Sequence, residues 1–537
     1  MELPEIRPEE RTPLVESLLA IIRQLLDRVQ KLEETNQQLR DENAVLKGQK
    51  PRPQIAPSRL EAPPRPPPPE GEKRPGSSKR PKNAQLVITE EKRLRVVDAP
   101  TGSTSKGFEP FVVQELDIQV TVIRYLRERV LTPDGHSLLA PLPDDVLAGS
   151  HFGPKLITYV LHQYHHNHVT QPLLLEQLWQ LGIDISAGQL SRILTENKEI
   201  FHQEKAEMLS VGLTVSSYIG TDDTGARHQG HNGFATVIRN EFFTYFESTD
   251  SKSRLNFLQV LQGAERTYAI NEMTLAYWER QGLRADLVEK LSQGSREFAG
   301  QPAWEARLAE LRIKRERHVR IATEGALLGA LIARGVAPDL GILSDGAQQF
   351  FILLHAACWI HAERPLARMI PYNDKHRAVI EKIREQIWQL YKDLKAFQEH
   401  PQESQKPLLE ARFDALCDQK AGYPSIDAVL KDMREHKADL LRMLERPEIP
   451  LHNNGAESDI REYVKKRKIS GSTRSDEGRR CRDTFASLKK TCRKLGVCFW
   501  NYLLDRIRGL GKIPPLPDLI RQRAAESRTP AAQAVPT

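Results

Sequence analysis

The chain has 537 residues, 39% hydrophobic and 28% charged. That is enough apolar material for several domains at about 150 residues each, and it excludes a wholly disordered chain. The longest uncharged apolar runs, such as 350–360, fall short of the roughly 20 residues of a membrane-spanning helix, and the N-terminus MELPEIRPEE lacks the features of a secretory signal. Net charge is +7, yet 461–494 alone holds thirteen Lys and Arg against four Asp and Glu, a concentration compatible with a nucleic-acid partner.

In chain order, the first pattern is a heptad repeat over 14–47. Leu18, Leu25, Leu32, Leu39 and Leu46 take the d positions, and Val15, Ile22, Val29, Asn36 and Asn43 the a positions. β-branched residues at a with Leu at d favour two parallel strands, and a buried Asn fixes register. Residues 1–50 are therefore expected to form a leucine-zipper coiled coil and a homo-oligomer, with Arg28–Glu33 and Glu42–Lys47 attracting across the pair. An amphipathic helix packed on its own domain is the plainer alternative, and Leu19, Ile21 and Leu26 at e or g leave room for a wider bundle. Residues 51–81 hold eleven of the 35 prolines, so 51–83 is expected to be an extended linker.

Residues 84–200 are read as a small α/β DNA-binding region. Its first part, to about 146, looks β-like, with alternation over Phe111–Tyr125 and a turn at Pro133-Asp134-Gly135. A helix from about Pro154 to Leu161 ends in the run His162, His165, His166 and His168, which reads as a helix end or phosphate-contacting patch rather than a metal site. Residues 172–195 have a helix-turn-helix pattern: Leu173–Leu181, a break at Gly182, and a second helix Ala187–Leu194 capped by Ser186. Gln189 and Arg192 would then face outward to reach bases, although a plain helical hairpin fits the same pattern.

Acids end the next apolar runs. Val211–Gly220 is β-rich and leads into Thr221-Asp222-Asp223-Thr224-Gly225; strand-like runs at Phe234–Arg239 and Glu241–Phe246 and a helix from near Ser253 follow. Three antiparallel strands and a helix, with an acid in the first strand, are how an RNase H-like sheet begins. Residues 262–335 are read as a helical insertion. Leu340–Leu343 then ends in Ser344-Asp345-Gly346, and Cys358-Trp359-Ile360-His361 stands thirteen residues on. Residues 366–450 show the 3–4 spacing of long amphipathic helices, for example Ile380, Ile383, Ile387, Leu390 and Leu394. The third acid, Glu457, opens a helix after His452-Asn453-Asn454-Gly455, with Arg461, Lys465 and Lys468 on its face. Converging carboxylates suit hard divalent cations, and two such cations support in-line attack on a phosphodiester.

TDDTGARHQG, SDGAQQF, CWIHAERPL, PLHNNGAESDIR and VKKRKISGSTRSDEGRR together resemble insertion-sequence transposases of the sixty-six family, over roughly residues 110–510. The resemblance implies a DDE-type enzyme with an RNase H-like mixed sheet and a large all-α insertion. It implies catalytic and metal-ligating roles for Asp222, Asp345 and Glu457, with Mg²⁺ as cofactor and Mn²⁺ as a substitute. Asp223 stands where the family usually carries Glu, which assigns the first ligand to Asp222. The Cys358–His361 pair matches a structural C-x-x-H motif of related transposases. Many family members carry a Cys-rich zinc module before the catalytic part; residues 1–357 contain no cysteine, and no zinc is expected.

The domain expectation is a core over 201–365 and 451–515, interrupted by the all-α segment 366–450 and closed by a disordered tail, 516–537. DNA contacts are expected from Gln189, Arg192, Arg461, Lys465, Lys466, Arg467, Lys468 and Arg474. The partners would be double-stranded DNA, at element ends and target, a second copy of the chain, and accessory proteins of the same element. Five cysteines without a C-x-x-C pair and no secretion signal point to a reduced, cytoplasmic, nucleoid-associated protein. The rival readings are a non-catalytic zipper and helix-turn-helix regulator, and a nuclease of the same fold without strand transfer.

Overall fold

The computed structural model describes residues 86–528, except 99, 105, 144, 145 and 148, and scattered positions between 12 and 35. The chain divides into two units, Ala56–Leu126 and the remainder. In the first, the described residues carry no strand or helix, and the apolar side chains of Phe111, Val113, Leu116, Ile118 and Val122 are exposed. The strands expected over 84–146 therefore reduce to one hairpin in the second unit, β1 (Arg129–Leu131) with β2 (Ser137–Leu139). Alternation alone makes no strand where no neighbouring strand accepts its hydrogen bonds.

At the N-terminus the described positions from Val15 to Thr35 are helical, and Ile22, Leu25, Val29 and Leu32 are exposed. Leu18, Leu39, Leu46, Asn36 and Asn43 lie outside the described residues.

The helix Pro154–Leu161 runs into a π-helical turn, His162–His166. Its histidines are packing residues: His165 is buried and stacks on Phe485 at 4.2 Å, and His162 and His166 stack on each other near Phe499. Two helices follow, Gln171–Gln180 and Ala187–Thr195, with Gly182 at φ +82° between them. The Trp179 indole donates to the Ile185 carbonyl and closes the turn.

The centre is a five-stranded mixed sheet in the order β5 (Thr244–Thr249), β4 (Phe234–Arg239), β3 (Tyr218–Gly225), β8 (Gly341–Ser344) and β9 (Leu354–Ala357). β3, β4 and β5 form an antiparallel meander. β8 and β9 run parallel to β3. Val211–Val215, expected to open the first strand, instead finish a helix, Glu199–Val215, because its buried face with Met208, Leu209 and Leu213 holds the run in the core. The insertion between β5 and β8 is not all helical. It contains a two-stranded sheet, β6 (Thr267–Ala269) with β7 (Glu297–Ala299), packed under the helix Glu316–Ala333.

After β9 come the helices Trp359–Arg368, Asp374–Glu399, Lys406–Cys417 and Pro424–Glu435. Ile380, Ile383, Ile387, Leu390 and Leu394 form the buried stripe of the second, and the Trp359 indole is anchored on the Leu440 carbonyl. The chain returns to the sheet as the helix Asn454–Ser470, packed on β3 and β4, and Asp476–Lys494, packed on β5. The tail expected to be disordered from 516 is a helix at Leu516–Arg528: Leu516, Ile520 and Ala524, four apart, are buried, and the helix packs on Glu199–Val215. No helix among the described residues is long and apolar enough to cross a membrane.

Candidate nucleic-acid active site

The register of β3 and β8 brings two acids together. Tyr218, Ile219 and Gly220 pair with Gly341, Ile342 and Leu343, an offset of 123 residues. Asp222 and Asp345 are also 123 residues apart; each stands two residues beyond the last paired residues, Gly220 and Leu343, and they are near enough for the Asp345 charge to act on Asp222. Neighbouring strands lie about 4.8 Å apart, and laterally paired residues share a face. Asp222 is half-buried within β3, and its Oδ1 accepts the Asp223 N–H at 2.8 Å. Asp345 is exposed in the turn after β8, where its Oδ1 accepts the Ala347 N–H at 3.1 Å and Gly346 takes φ +91°.

The third acid comes from the helix packed on that same face. Asn453, just before it, donates its side-chain amide to the Thr221 carbonyl at 2.7 Å and its backbone N–H to Cys358 Sγ at 3.2 Å. The helix N-terminus is thus fixed to the strand of Asp222 and to the segment after β9. A Cβ on Gly220 would stand 2.8 Å from Asn453 Oδ1, and one on Gly455 would collide with the Arg239 guanidinium; glycine permits both approaches. Ala456, Ile460 and Tyr463 fill the contact against Ala235, Val237 and Phe246. Glu457 then stands at the helix's first turn, where the helix dipole favours a carboxylate.

Asp222 reports this convergence. Its carboxyl is pushed up to about 7, first by burial and then by the charges of Asp345, Glu457 and Asp223, against the opposing Asp223 N–H bond. Asp223 faces the other way: Thr236 Oγ1 donates to its Oδ1 at 2.5 Å and Gln349 Nε2 to its Oδ2 at 3.1 Å. Glu457 is ringed by cations. Its Oε1 accepts from Arg364 at 3.0 Å with His361 Nε2 at 3.5 Å, and its Oε2 accepts from Arg461 at 2.8 Å. Burial, and then Arg364, lower the His361 pKa.

Two contributors carry no functional signal in the sequence: Arg364 stands 93 residues before Glu457 within CWIHAERPL, and Asn453 reads only as a helix start. The sequence also leaves open what Cys358 does. Cys358 is buried and accepts the Asn453 N–H, and burial pushes its thiol up.

The cations expected to meet DNA divide into two sets. Arg461, Lys465, Lys468 and Arg474 are exposed, and Arg467 is half-buried with Nη1 3.4 Å from Thr224 Oγ1. Lys466 is buried and corrects the expectation. It lies 3.5 Å from the centre of the Tyr164 ring and donates to the Tyr164 carbonyl at 2.7 Å. Part of the local excess of positive charge is likewise neutralised inside the protein. Lys489 and Lys490 pair with Glu462, and Lys490 and Lys494 with Asp459. Gln189 is half-buried and is committed to a capping box, its Oε1 accepting the Ser186 N–H at 2.8 Å, whereas Arg192 is exposed; both line a cleft of about 660 Å³.

The family model described as Transposase IS66 family matches residues 346–480, from the turn after Asp345 through the Glu457 helix and the basic loop beyond it. The chain is also 40% identical over 323 residues to an uncharacterized protein, y4jO, of Sinorhizobium fredii (strain NBRC 101917 / NGR234), a match covering 59% of this chain and all of that protein. The class of protein is thereby a transposase, a mixed α/β enzyme acting on DNA. The chain belongs to the IS66 family.

Proposed function

We propose that this protein cleaves DNA at the ends of an insertion sequence and joins the freed 3′-hydroxyls to target DNA. Asp222, Asp345 and Glu457 would serve as the DDE acids of an RNase H-like core. The observation that supports the reading is that Asp345 and Glu457 both act on the Asp222 carboxyl, Asp222 and Asp345 following the paired ends of β3 and β8 and the Glu457 helix packing on β3. The sheet order, a three-stranded meander followed by two parallel strands, agrees with that fold. The donor chemistry fits Mg²⁺ or Mn²⁺: three carboxylates from separate elements, two of whose charges raise the third. Such a cation, when bound, supplies activation of the attacking oxygen and charge stabilisation at the phosphorus. The protein's own part is to align the scissile phosphodiester on the acid face and to hold the strand on the exposed cations Lys465, Lys468 and Arg474. The exposed apolar stripe of the N-terminal helix supports pairing of two copies, and so of two element ends, in the nucleoid-associated cytoplasm, with accessory proteins of the element as further partners.

Incubating the full-length protein, Mg²⁺ and a supercoiled plasmid carrying the element ends separates the readings. Joined products are expected. Nicking or linearisation without joining would indicate a nuclease, and an intact plasmid a DNA-binding regulator.

A further inference from the structure

Glu457 carries a guanidinium on each carboxylate oxygen. Arg364 donates to Oε1 at 3.0 Å from the helix that follows β9, and Arg461 donates to Oε2 at 2.8 Å from one turn further along the Glu457 helix itself. His361, on the same face as Arg364, stands 3.5 Å from Oε1. The other two acids are held differently, Asp222 by the Asp223 N–H and Asp345 by the Ala347 N–H. Among the described residues no three His, Cys, Asp or Glu side chains stand together as a ligand group. The third acid is thus drawn onto arginines.

A guanidinium fork fits a phosphate as well as a carboxylate, with two parallel N–H···O bonds to either. Arg461 is the freer of the two, its side chain 72% exposed, while Arg364 is 31% exposed, and both border the face that a scissile phosphodiester would approach. A DNA phosphate arriving there competes directly with Glu457 for the same donors. Each guanidinium it captures leaves a carboxylate oxygen free to take a cation.

We propose that Arg364 and Arg461 form a DNA-released latch on Glu457: in the free protein they occupy the third acid, and a DNA phosphate takes them over, so that DNA binding and divalent-cation binding favour each other. This rests on the assignment of Asp222, Asp345 and Glu457 as the cation-binding acids. The latch gives the protein a means of keeping its cation site incomplete until a strand is in place, which limits cleavage of DNA it meets only briefly. Arg364 acts here as a positioning residue, through Glu457. The coupling is reciprocal, because linkage requires each ligand to raise the other's affinity by the same factor.

The test is free Mn²⁺ measured by electron paramagnetic resonance during titration of the full-length protein, with and without a short duplex, the Mn²⁺ bound by the duplex alone being subtracted. In the wild type the duplex is expected to tighten Mn²⁺ binding about tenfold. Arg461→Gln and Arg364→Gln should each tighten Mn²⁺ binding in the absence of DNA and shrink the enhancement by DNA; the double variant should show almost none. Unchanged or weaker DNA-free affinity in these variants overturns the latch. Arg461 is exposed on a helix surface, so Arg461→Gln carries the test alone if Arg364→Gln fails to fold. Asp345→Asn separates the latch from the reading beneath it. If that variant binds Mn²⁺ like the wild type, the acids are not the cation site. If it loses Mn²⁺ while the arginine variants behave as wild type, the acids stand and the latch falls.

Discussion

Gln349 donates its side-chain amide to Asp223 at 3.1 Å, and so ties the strand of Asp222 to the turn that follows Asp345. The two adjacent aspartates of the T-D-D-T-G run therefore have separate tasks. Asp222 faces the other acids, while Asp223 holds Thr236 and Gln349 on the opposite face. Asp223→Ala strips the acceptor from two donors, one of them the buried Thr236 hydroxyl, and should cost about 1–3 kcal/mol in a thermal melt. Its cleavage activity should fall without vanishing. Asp222→Ala, Asp345→Ala and Glu457→Ala should instead abolish cleavage and joining while sparing DNA affinity, which comes mainly from phosphate contacts elsewhere. An active Asp222→Ala beside a dead Asp223→Ala would reverse the assignment.

Glu462 shows where much of the basic segment's charge goes. Burial pushes its carboxyl up, but Lys489 and Lys490 more than offset this and leave it at about 2. Its folded pKa lies below the unfolded value, so it contributes stability above about pH 4.5, lost as pH falls through about 2. Glu462→Gln leaves buried Lys489 without its carboxylate and Lys490 with Asp459 alone, and should cost about 3 kcal/mol at neutral pH. Melting curves of the variant at pH 7 check this, and an unchanged midpoint would mean the lysines find other partners.

The sequence made the acids and the turns legible because these depend on local signals. A polar residue at the end of an apolar run, Gly182 between two helices and Ser186 before one are visible without a partner. The charge run alone does not show which of its cations face solvent, because the acids that pair with Lys489, Lys490 and Lys494 sit on a different helix and composition does not record which side chains face inward. The contact between Asn453 and Cys358 joins residues 95 apart and has no local trace. The alternation over Phe111–Tyr125 promised strands, but a strand also needs a neighbour, and the described residues there provide none.

Lys466 gives a pH test of the inward-facing cations. Burial first, then repulsion from Arg482 and Lys489, lowers its pKa to about 7. The unfolded chain holds this proton up to about pH 10.5, so between about pH 7 and 10.5 the unfolded state binds more protons and stability rises with pH. Below about 7 the full cost of the buried charge is present. Lys466→Met removes that cost along with the bond to Tyr164, and should raise stability at pH 6–7 by on the order of 1 kcal/mol. It should also flatten the dependence of the melting midpoint on pH between 7 and 10. A variant as pH-dependent as the wild type would show that Lys466 stays charged in the fold.

The N-terminal helix should govern self-association. Ile22, Leu25, Val29 and Leu32 are apolar and exposed in the single chain, and they match the a and d positions of a two-stranded coil. Removing residues 1–50 should lower the sedimentation coefficient to that of a smaller assembly without changing the melting of the remaining chain. An unaltered assembly would place the main interface elsewhere.

The exposed cations beyond Glu457 should grip phosphates, and salt titration distinguishes them from their buried neighbour. Lys465, Lys468 and Arg474 are open to solvent, whereas Lys466 is committed to Tyr164. Each lost phosphate contact lowers the slope of log affinity against log salt by about 0.9. A Lys465, Lys468 and Arg474 to Ala variant should therefore lose about two to three units of slope, and Lys466→Met none. Phosphate contacts carry no sequence information, so the triple variant should weaken binding to element ends and to random duplexes alike. Binding of both DNAs measured across a range of salt decides the point. A loss confined to element ends would make these side chains base readers, and an unchanged slope would leave them as solvated surface.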